Sequence, residues 1–522
     1  MSAEKFINHF RQLKIGMWRR LSSSPAARNA GASYLAFIST SLWGLLTIPV
    51  AVHYLEKSQI GLWAVVNTLL GYLLWMDLGI GNATGRLMAD AVARNDKDEM
   101  DRWWTAVRAV LWTQVLVVVI LGAIFVPLII DWIDVDSQLR GDAKLLLYAG
   151  IFITGFSFPI RGVTGLLIAQ NRFHWTPLMQ ATVPWLNFGA FFICLKLGYG
   201  LKSYLVGLVV SQVATWILCY FFVKTAAYKP KWDKSGIKKA RLLSMFKLSG
   251  NMAVVGLISA VVKGLPVLML ARVGGLAVVP IYQFSSRAPF LGGALVSRTY
   301  QSFYPGLMRL FVSEKKEDFQ RKHLVVGRIT LAGGLCGASL VLAINPFIVK
   351  LIASDDYFAG SMANMWFAVG LITFPIAGLY QILFPISGSM AKAAPFAVLK
   401  LILGVIFGIL AWNELGLVGL AAVFALIPIV DVLYGWLGGV KSCGYSYGEF
   451  SPQLLVQSFL ASGLVILVGT YIANTEGAPL QFDFFAWEFE LLNITGMLAS
   501  GLLFLAGISW LIFSFRQLLK ER

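Results

Sequence analysis

The chain has 522 residues, of which 58% are hydrophobic and only 13% charged. That is far too apolar for a soluble protein of two or three domains, and the chain reads as a polytopic membrane protein. The formal charge of +17 raises nucleic acid as a partner, a question settled by where the basic residues fall.

At the N-terminus, residues 3–21 are basic and mixed rather than a short apolar core before a small-residue cleavage site, so no cleavable signal peptide is expected. Phe6, Phe10, Leu13, Met17 and Leu21 recur at helical spacing among Lys5, Arg11, Lys14, Arg19 and Arg20. This pattern predicts an amphipathic helix on an anionic membrane surface within a cytoplasmic segment, residues 1–29. A solvated tail is the plainer alternative.

Apolar runs of the ~20 residues needed to cross a bilayer follow. They fall near 30–53, 60–82, 106–130, 144–169, 177–197 and 203–223, forming an N-lobe over residues 30–223. A basic cytoplasmic linker occupies residues 224–245, with six Lys and Arg from Lys229 to Arg241 against the single acid Asp233. A C-lobe over residues 246–440 has runs near 246–273, 276–298, 324–351, 360–388, 394–412 and 416–440; residues 441–522 hold two further runs, near 454–473 and 490–514, and a cytoplasmic tail. The predicted fold class is therefore an all-α polytopic membrane protein of about 14 transmembrane helices: two parallel six-helix repeats plus two C-terminal helices, with both termini in the cytoplasm.

Charge placement sets that orientation. With the N-terminus inside, 33 of the 43 Lys and Arg lie on the cytoplasmic side, 7 lie outside, and Arg161, Lys263 and Arg287 lie within helices. Basic residues concentrate in cytoplasmic loops, so the excess is topological and nucleic acid is not an expected partner. Internal repetition is also visible. Phe158 to Gly162, FPIRG, recurs as FPIAG at Phe374 to Gly378, while Pro49 matches Pro266 and Pro177 matches Pro395, all at offsets of 216–218 residues. Six helices per unit is an even number, so the copies enter from the same side as parallel repeats.

Enzymatic readings find little support. There is no Gly-x-x-x-x-Gly-Lys-Ser/Thr loop for a nucleotide. The histidines His9, His53, His174 and His323 are scattered and read as interfacial; Cys194, Cys219, Cys336 and Cys443 lack metal or disulfide spacing and read as free. No cofactor or metal is expected. The one catalytic candidate is Asp134-Val-Asp136, in an outer loop that also holds Asp131 and Asp142. Such a pair can hold a divalent cation and a sugar-phosphate donor, as in a membrane glycosyltransferase, although a hydrated acidic loop is the simpler reading.

The intramembrane charges are the stronger functional signal. Arg161, Lys263 and Arg287 are too costly to face lipid and are expected to point inward, forming a cationic patch at the lobe interface suited to a phosphate. Asp77 and Asp431 are candidate sites for a coupling proton or sodium ion. Asp77 and Arg161 lie at similar depth and can instead neutralise each other, and Gly79, Gly81 and Asn82 offer Asp77 a local capping role.

Three stretches carry a family resemblance: Leu55-Glu56-Lys57-Ser58-Gln59-Ile60-Gly61-Leu62-Trp63, then Met76-Asp77-Leu78-Gly79-Ile80-Gly81-Asn82-Ala83, then the loop from Arg86 to Asp101. They resemble the first repeat of the multidrug/oligosaccharidyl-lipid/polysaccharide exporter superfamily, in its oligosaccharide flippase branch (Wzx-type, O-antigen transporter). The resemblance implies a non-enzymatic, multi-pass protein of the bacterial inner membrane. It implies translocation of a polyprenyl-pyrophosphate-linked oligosaccharide by alternating access for lipopolysaccharide or other surface polysaccharide synthesis. Implied partners are the lipid-linked oligosaccharide, membrane lipids, and polysaccharide polymerase and chain-length proteins. The last two helices, with Pro452 and the acidic residues Glu476, Asp483, Glu488 and Glu490, could line a groove for the polyprenyl tail or simply pack on the bundle. A peptidoglycan-precursor flippase and a multidrug exporter of the same superfamily are the alternative transport readings.

Overall fold

The computed structural model describes residues 25–520 except 78, 171, 173, 174, 226, 227, 448–451, 475–479, 485, 486, 492 and 493. The amphipathic segment expected over residues 3–21, and with it His9, lies outside the described residues, as does His174. Two compact units are present: Met1–Leu55 with Leu69–Ala253, and Glu56–Thr68 with Val254–Arg522.

The first unit holds α1 (Pro25–Tyr54), the last turn of α2 (Lys57–Leu73), whose residues to Thr68 belong to the second unit, then α3 (Ile80–Ala93) and α4 (Lys97–Ile133). It continues through α5 (Ser137–Gly155), α6 (Phe158–Ala169), α7 (Trp175–Lys196) and α8 (Ser203–Lys224). α2 runs into a 3-10 turn, Leu74–Asp77. Gly79, at φ 68°, then starts α3 from the left-handed region, a conformation glycine adopts without the steric cost other residues meet. That is a physical reason for glycine in the Asp-Leu-Gly motif. α3 packs on α6, where a Cβ on Gly85 would come within 2.8 Å of Ile168.

The second unit contains α9 (Lys239–Val273), which begins in the first, then α10 (Val279–Ser285), α11 (Arg287–Val312) and α12 (Lys316–Ile352). After them come α13 (Ser361–Gln381), α14 (Leu383–Ile386), α15 (Ala394–Leu426) and α16 (Pro428–Tyr434), followed by α17 (Gln453–Asn474) and α18 (Ile494–Lys520). α13 is the hub: it is buried along most of its length, and α11, α12, α15, α16 and α17 all pack on it. Gly61, in the first turns of α2, also belongs to this unit, and a Cβ there would stand 1.8 Å from the Leu276 carbonyl oxygen. The glycine of the Ile-Gly-Leu-Trp motif is thus a close-packing position.

The repeat markers occupy matching places in the two units. Pro49 and Pro266 lie inside α1 and α9. The glycine closing each Phe-Pro-Ile motif sits against a neighbour: a Cβ on Gly162 would meet Leu111 and Val107 at 3.3 Å, and one on Gly378 would overlap the Tyr300 hydroxyl.

Twelve described helices are long and apolar enough to cross a membrane. The difference from the expected fourteen has two causes. Met390–Ser442 is a single helical stretch of 53 residues broken at Gly416, whose backbone (φ 57°, ψ −133°) is non-helical, so it holds two of the predicted runs. The span predicted near 276–298 forms α10 and α11, which are divided at Ser286 and are more polar. Between α17 and α18 an antiparallel hairpin, β1 (Leu480–Phe484) with β2 (Trp487–Leu491), pairs Phe482 with Phe489. It is the one departure from an all-α architecture among the described residues. The side chains of its acids Asp483, Glu488 and Glu490, and Glu476 before it, lie outside the described residues.

Polar contacts help to fasten each unit. In the second, the fully buried Asn345 donates its amide to the Ser285 carbonyl and to Asn364 Oδ1, both at 2.8 Å, while Asn364 donates to the Val341 carbonyl at 3.2 Å. In the first, the basic linker is docked on the acidic start of α4. Tyr228 and the Lys231 amide donate to Asp101 at 2.9 and 2.6 Å, the Asp233 amide donates to Thr105 at 2.8 Å, and Arg241 grips Glu99 with bonds of 2.9 and 2.8 Å. Gly236 permits this approach, since a Cβ there would lie 2.3 Å from the Arg102 carbonyl oxygen. Ser235, through its hydroxyl and amide, and then Arg102 hold the Asp233 carboxyl below its ordinary value. Burial, then the hydrogen bond and charge of Asp101, push the Tyr228 hydroxyl up to about 12.

Two outcomes are expected. Asp101→Asn should release the linker, so that trypsin cleaves after Lys231 and Lys234 several-fold faster at neutral pH. Asp233 contributes above its ordinary pKa and loses its contribution as pH falls through the depressed one, whereas Tyr228 contributes below pH 10 and loses its contribution towards about 12. Docking, followed by the distance between spin labels on the linker and α4, should therefore be flat from about pH 5 to 9 and weaken outside that window. In the second unit, Asn364→Ala removes a buried acceptor and should lower unfolding stability by about 1–3 kcal/mol, measured by thermal or denaturant unfolding in detergent.

Candidate functional site: a cavity beside a buried ion pair

A cavity of about 440 Å³ opens inside the second unit, lined by residues of α9, α10, α11, α13 and α15. Its walls are mainly apolar and aromatic, with Tyr282, Phe290, Trp366, Phe367, Phe374 and Phe424 among them. Pro266 lies inside α9 and Pro289 in the first turn of α11, both on the wall. In the interior of α9, Pro266 removes a backbone hydrogen bond and disturbs the helix before it, which leaves room on this wall.

Into this apolar chamber projects Lys263. Its side chain is exposed by surface area yet surrounded by protein, because the surface it reaches is the cavity. It lies within electrostatic reach of both Lys400 and Asp431. Lys400 is only 5% exposed, and its ammonium holds both carboxylate oxygens of Asp431, at 3.0 and 2.7 Å. Asp431, a candidate coupling acid, thus has a resident counter-ion.

Sequence reasoning missed Lys400, assigning it to a cytoplasmic helix end. The available signal was an acid, Asp431, within the next apolar run: a buried charge calls for an opposite one on a neighbouring helix. The charge balance around the cavity is consequently two lysines against one carboxylate.

Arg287, the first residue of α11, lies between the cavity residues Ser286 and Pro289. Its Nε is buried without a hydrogen-bond partner. The start of a helix is the positive end of its dipole, so this guanidinium adds to a positive potential instead of relieving it. Arg161 belongs to the first unit, where it lies over the Phe158 ring at 5.7 Å and has further contacts. The backbone of Asp77 closes the 3-10 turn after α2, and its side chain lies outside the described residues. Of the predicted site residues, the structure therefore puts Lys263 on the chamber wall, with the Lys400–Asp431 pair within its electrostatic reach, whereas Arg287 follows the wall residue Ser286 in sequence without itself lining the chamber.

The other candidate chemistry resolves into local structure. Asp134 ends α4 in a left-handed conformation (φ 60°), and Asp136 caps α5, accepting from the Gln138 amide at 3.3 Å. Asp131 pairs with Arg140. The Asp-x-Asp spacing is thus the signature of two helix ends meeting at a short turn. No group of three or more His, Cys, Asp or Glu placed to hold a metal is present among the described residues. All four cysteines are free. His323, expected at an interface, is instead buried, 1% exposed, with its ring 6.4 Å from that of Phe319 and 5.4 Å from that of Tyr380. The α12 surface around it faces neighbouring aromatic residues, so the ring is accommodated by packing.

A family model described as polysaccharide biosynthesis protein matches residues 26–311. The chain belongs to the polysaccharide biosynthesis protein family. The capsular polysaccharide biosynthesis protein CapF of Staphylococcus aureus is 21% identical over 190 residues, 36% of this chain. The match spans about half, 48%, of that relative. Among solved structures, the inward-facing form of a multidrug resistance MATE transporter of the MOP superfamily superposes with a TM-score of 0.64 at 14% identity, covering 77% of this chain and 94% of the other. The lipid II flippase MurJ in an inward closed conformation gives 0.63 at 15% identity, covering 94% and 99%. The bent form of the Vibrio cholerae MATE transporter VcmN gives 0.59 at 13% identity, covering 83% and 100%. At these identities the likeness is one of fold. This member of the family thus has the helical architecture of MATE and MurJ proteins, with its own charges on that frame.

The ion pair makes a prediction about stability. Lys400→Met leaves the Asp431 carboxylate uncompensated and should cost about 3–5 kcal/mol, whereas the double variant Lys400→Met/Asp431→Asn should recover most of that loss. Unfolding midpoints of the two in detergent check it.

Proposed function

We propose that this protein is a flippase that carries a polyprenyl-pyrophosphate-linked oligosaccharide across the bacterial inner membrane by alternating access, serving O-antigen, lipopolysaccharide or other surface polysaccharide synthesis. The observation that carries this reading is Lys263, a cation in a chamber of aromatic and aliphatic side chains, in a chain of the polysaccharide biosynthesis protein family. Arg287, next in sequence to the wall residue Ser286 and with its Nε buried without a partner, supports the same reading. A lysine offers a mobile point charge and an arginine a planar fork, the two donor types that suit a phosphate. The aromatic walls suit the hydrophobic part of a lipid and the faces of sugar rings.

In mechanism, the anionic headgroup is drawn from the cytoplasmic leaflet to the cationic chamber, and closure on one side with opening on the other releases it outward. A chamber inside protein avoids the cost of moving a pyrophosphate through hydrocarbon. The orientation with both termini in the cytoplasm is part of this proposal, resting on the distribution of Lys and Arg. Polysaccharide polymerase and chain-length proteins are the proposed downstream partners, and the reaction makes and breaks no covalent bond. A peptidoglycan-precursor flippase is the second reading, supported by the fold shared with MurJ over 94% of this chain. Multidrug export fits less well: an organic cation wants an available carboxylate in the cavity, whereas Asp431 is held by Lys400.

Lys263→Ala and Arg287→Ala, each expressed in a strain lacking the native protein, should lower surface polysaccharide at least tenfold at unchanged protein level. The assay is glycan staining of whole cells beside an immunoblot. Full export by both single variants and by their combination would remove the proposal.

A further inference from the structure

The two lysines and one carboxylate have a geometry that the translocation reading does not by itself require. Lys400 lies one turn before Gly404, and Gly404 faces Leu265, Ile427 and Phe424. Phe424 and Ile427 are cavity walls, and Asp431 follows Ile427 by one turn. The pair therefore sits about one helical pitch, ~5.4 Å, beyond the cavity wall along both α15 and α16. Lys263, two residues before Leu265, lies on the chamber itself, within electrostatic reach of both members. Three charged groups from three helices thus meet at the edge of one cavity, and only two of them are bonded to each other.

Lys400 is nearly inaccessible at rest, with its side chain 7% exposed against 13% for Asp431. A lysine ammonium rides on a flexible four-carbon stem and can change partner without backbone movement. A second anion entering beside Lys263 would meet a site where Asp431 already neutralises one of the two available cations.

We propose that Asp431 is a built-in competitor: a carboxylate that occupies Lys400 when the chamber is empty and surrenders it to the anionic phosphate of the incoming ligand. Its role is to lock the pair in position at rest and to make anion binding exchange one ion pair for another, so that Lys400 never has to wait unpaired in the membrane interior. Such exchange also keeps affinity moderate, which a carrier needs to release its cargo. The inference rests on the reading of the chamber as a phosphate site.

The test uses the full chain in detergent micelles and inorganic pyrophosphate as the probe, titrated by calorimetry, with the fluorescence of cavity-lining Trp366 contributing to a second signal. Asp431→Asn keeps the size and one acceptor oxygen while removing the competing charge; it should bind pyrophosphate about tenfold more tightly than the native chain, the size of change expected when one close charge contact is relieved. Lys400→Met/Asp431→Asn has neither charge and should bind about threefold more weakly than the native chain, because the exchanged cation is gone. A pair that serves packing alone predicts the opposite pattern, with unchanged or weaker binding by a folded Asp431→Asn and native affinity in the double variant, and either result overturns the proposal. Should Asp431→Asn not fold, the double variant decides alone. Absence of pyrophosphate binding by the native chain would sink the phosphate-site reading and this inference with it, whereas native binding that is lost in Lys263→Ala and insensitive to both Asp431 variants would sink only the competitor.

Discussion

A charge within a membrane-embedded bundle must have an opposite charge or a wet surface beside it, and the second unit is arranged around that constraint. Lys400 and Asp431 meet the first condition, gripping each other at 2.7 Å with little exposure. Lys263 meets the second, since its surface opens on a chamber of about 440 Å³. The desolvation of an ion costs several kcal/mol even after relaxation, so neither arrangement persists without packing to hold it in register. Pro266 leaves room on the chamber wall, and the small residues nearby let α15 approach α9 and α16 closely enough for the three charges to meet.

That packing is organised by α13, the most buried of the apolar helices, and by buried polar side chains that bond to one another inside the unit. Asn345, Asn364 and Ser285 join three helices and the connection after α12 through hydrogen bonds to one another and to backbone carbonyls. In hydrocarbon surroundings the alternative to such bonds is an unsatisfied polar group, which makes the network specific. The first unit uses electrostatics outside the membrane instead, where Asp101, Glu99 and Arg102 at the start of α4 hold the linker through Tyr228, Arg241 and Asp233. The linker's positive charge is therefore partly matched by acids of its own unit rather than wholly solvated.

These features bear on the proposed transport in a common way. A rigid, well-bonded frame around a cavity allows small rearrangements of side chains to favour one state of the whole over another, because packed helices have discrete arrangements and not a continuum. The frame is the one shared with MATE transporters and MurJ. On the proposed function, the exchange of partners at Lys400 would be a means for the cargo's own charge to reach the frame.

Much of this was legible in one dimension. Runs of apolar residues, the Pro49 and Pro266 markers and the doubled Phe-Pro-Ile motif are periodic features that depend only on helix length and repeat duplication, so the sequence by itself determined the helical class and the internal repetition. Glycines at 61 and 79 could be quoted as motif residues, but their reasons, a carbonyl at van der Waals contact and a positive φ, are properties of the folded chain. Tertiary structure alone decided the partners. Lys400 belongs with Asp431, 31 residues away; His323 is enclosed by rings from α12 and α13; Asp134 and Asp136 are turn residues. The physical reason is that hydropathy reports whether a segment leaves water, which is a sum over its own side chains, whereas the pairing of buried charges depends on which helices become neighbours and at what depth their faces meet.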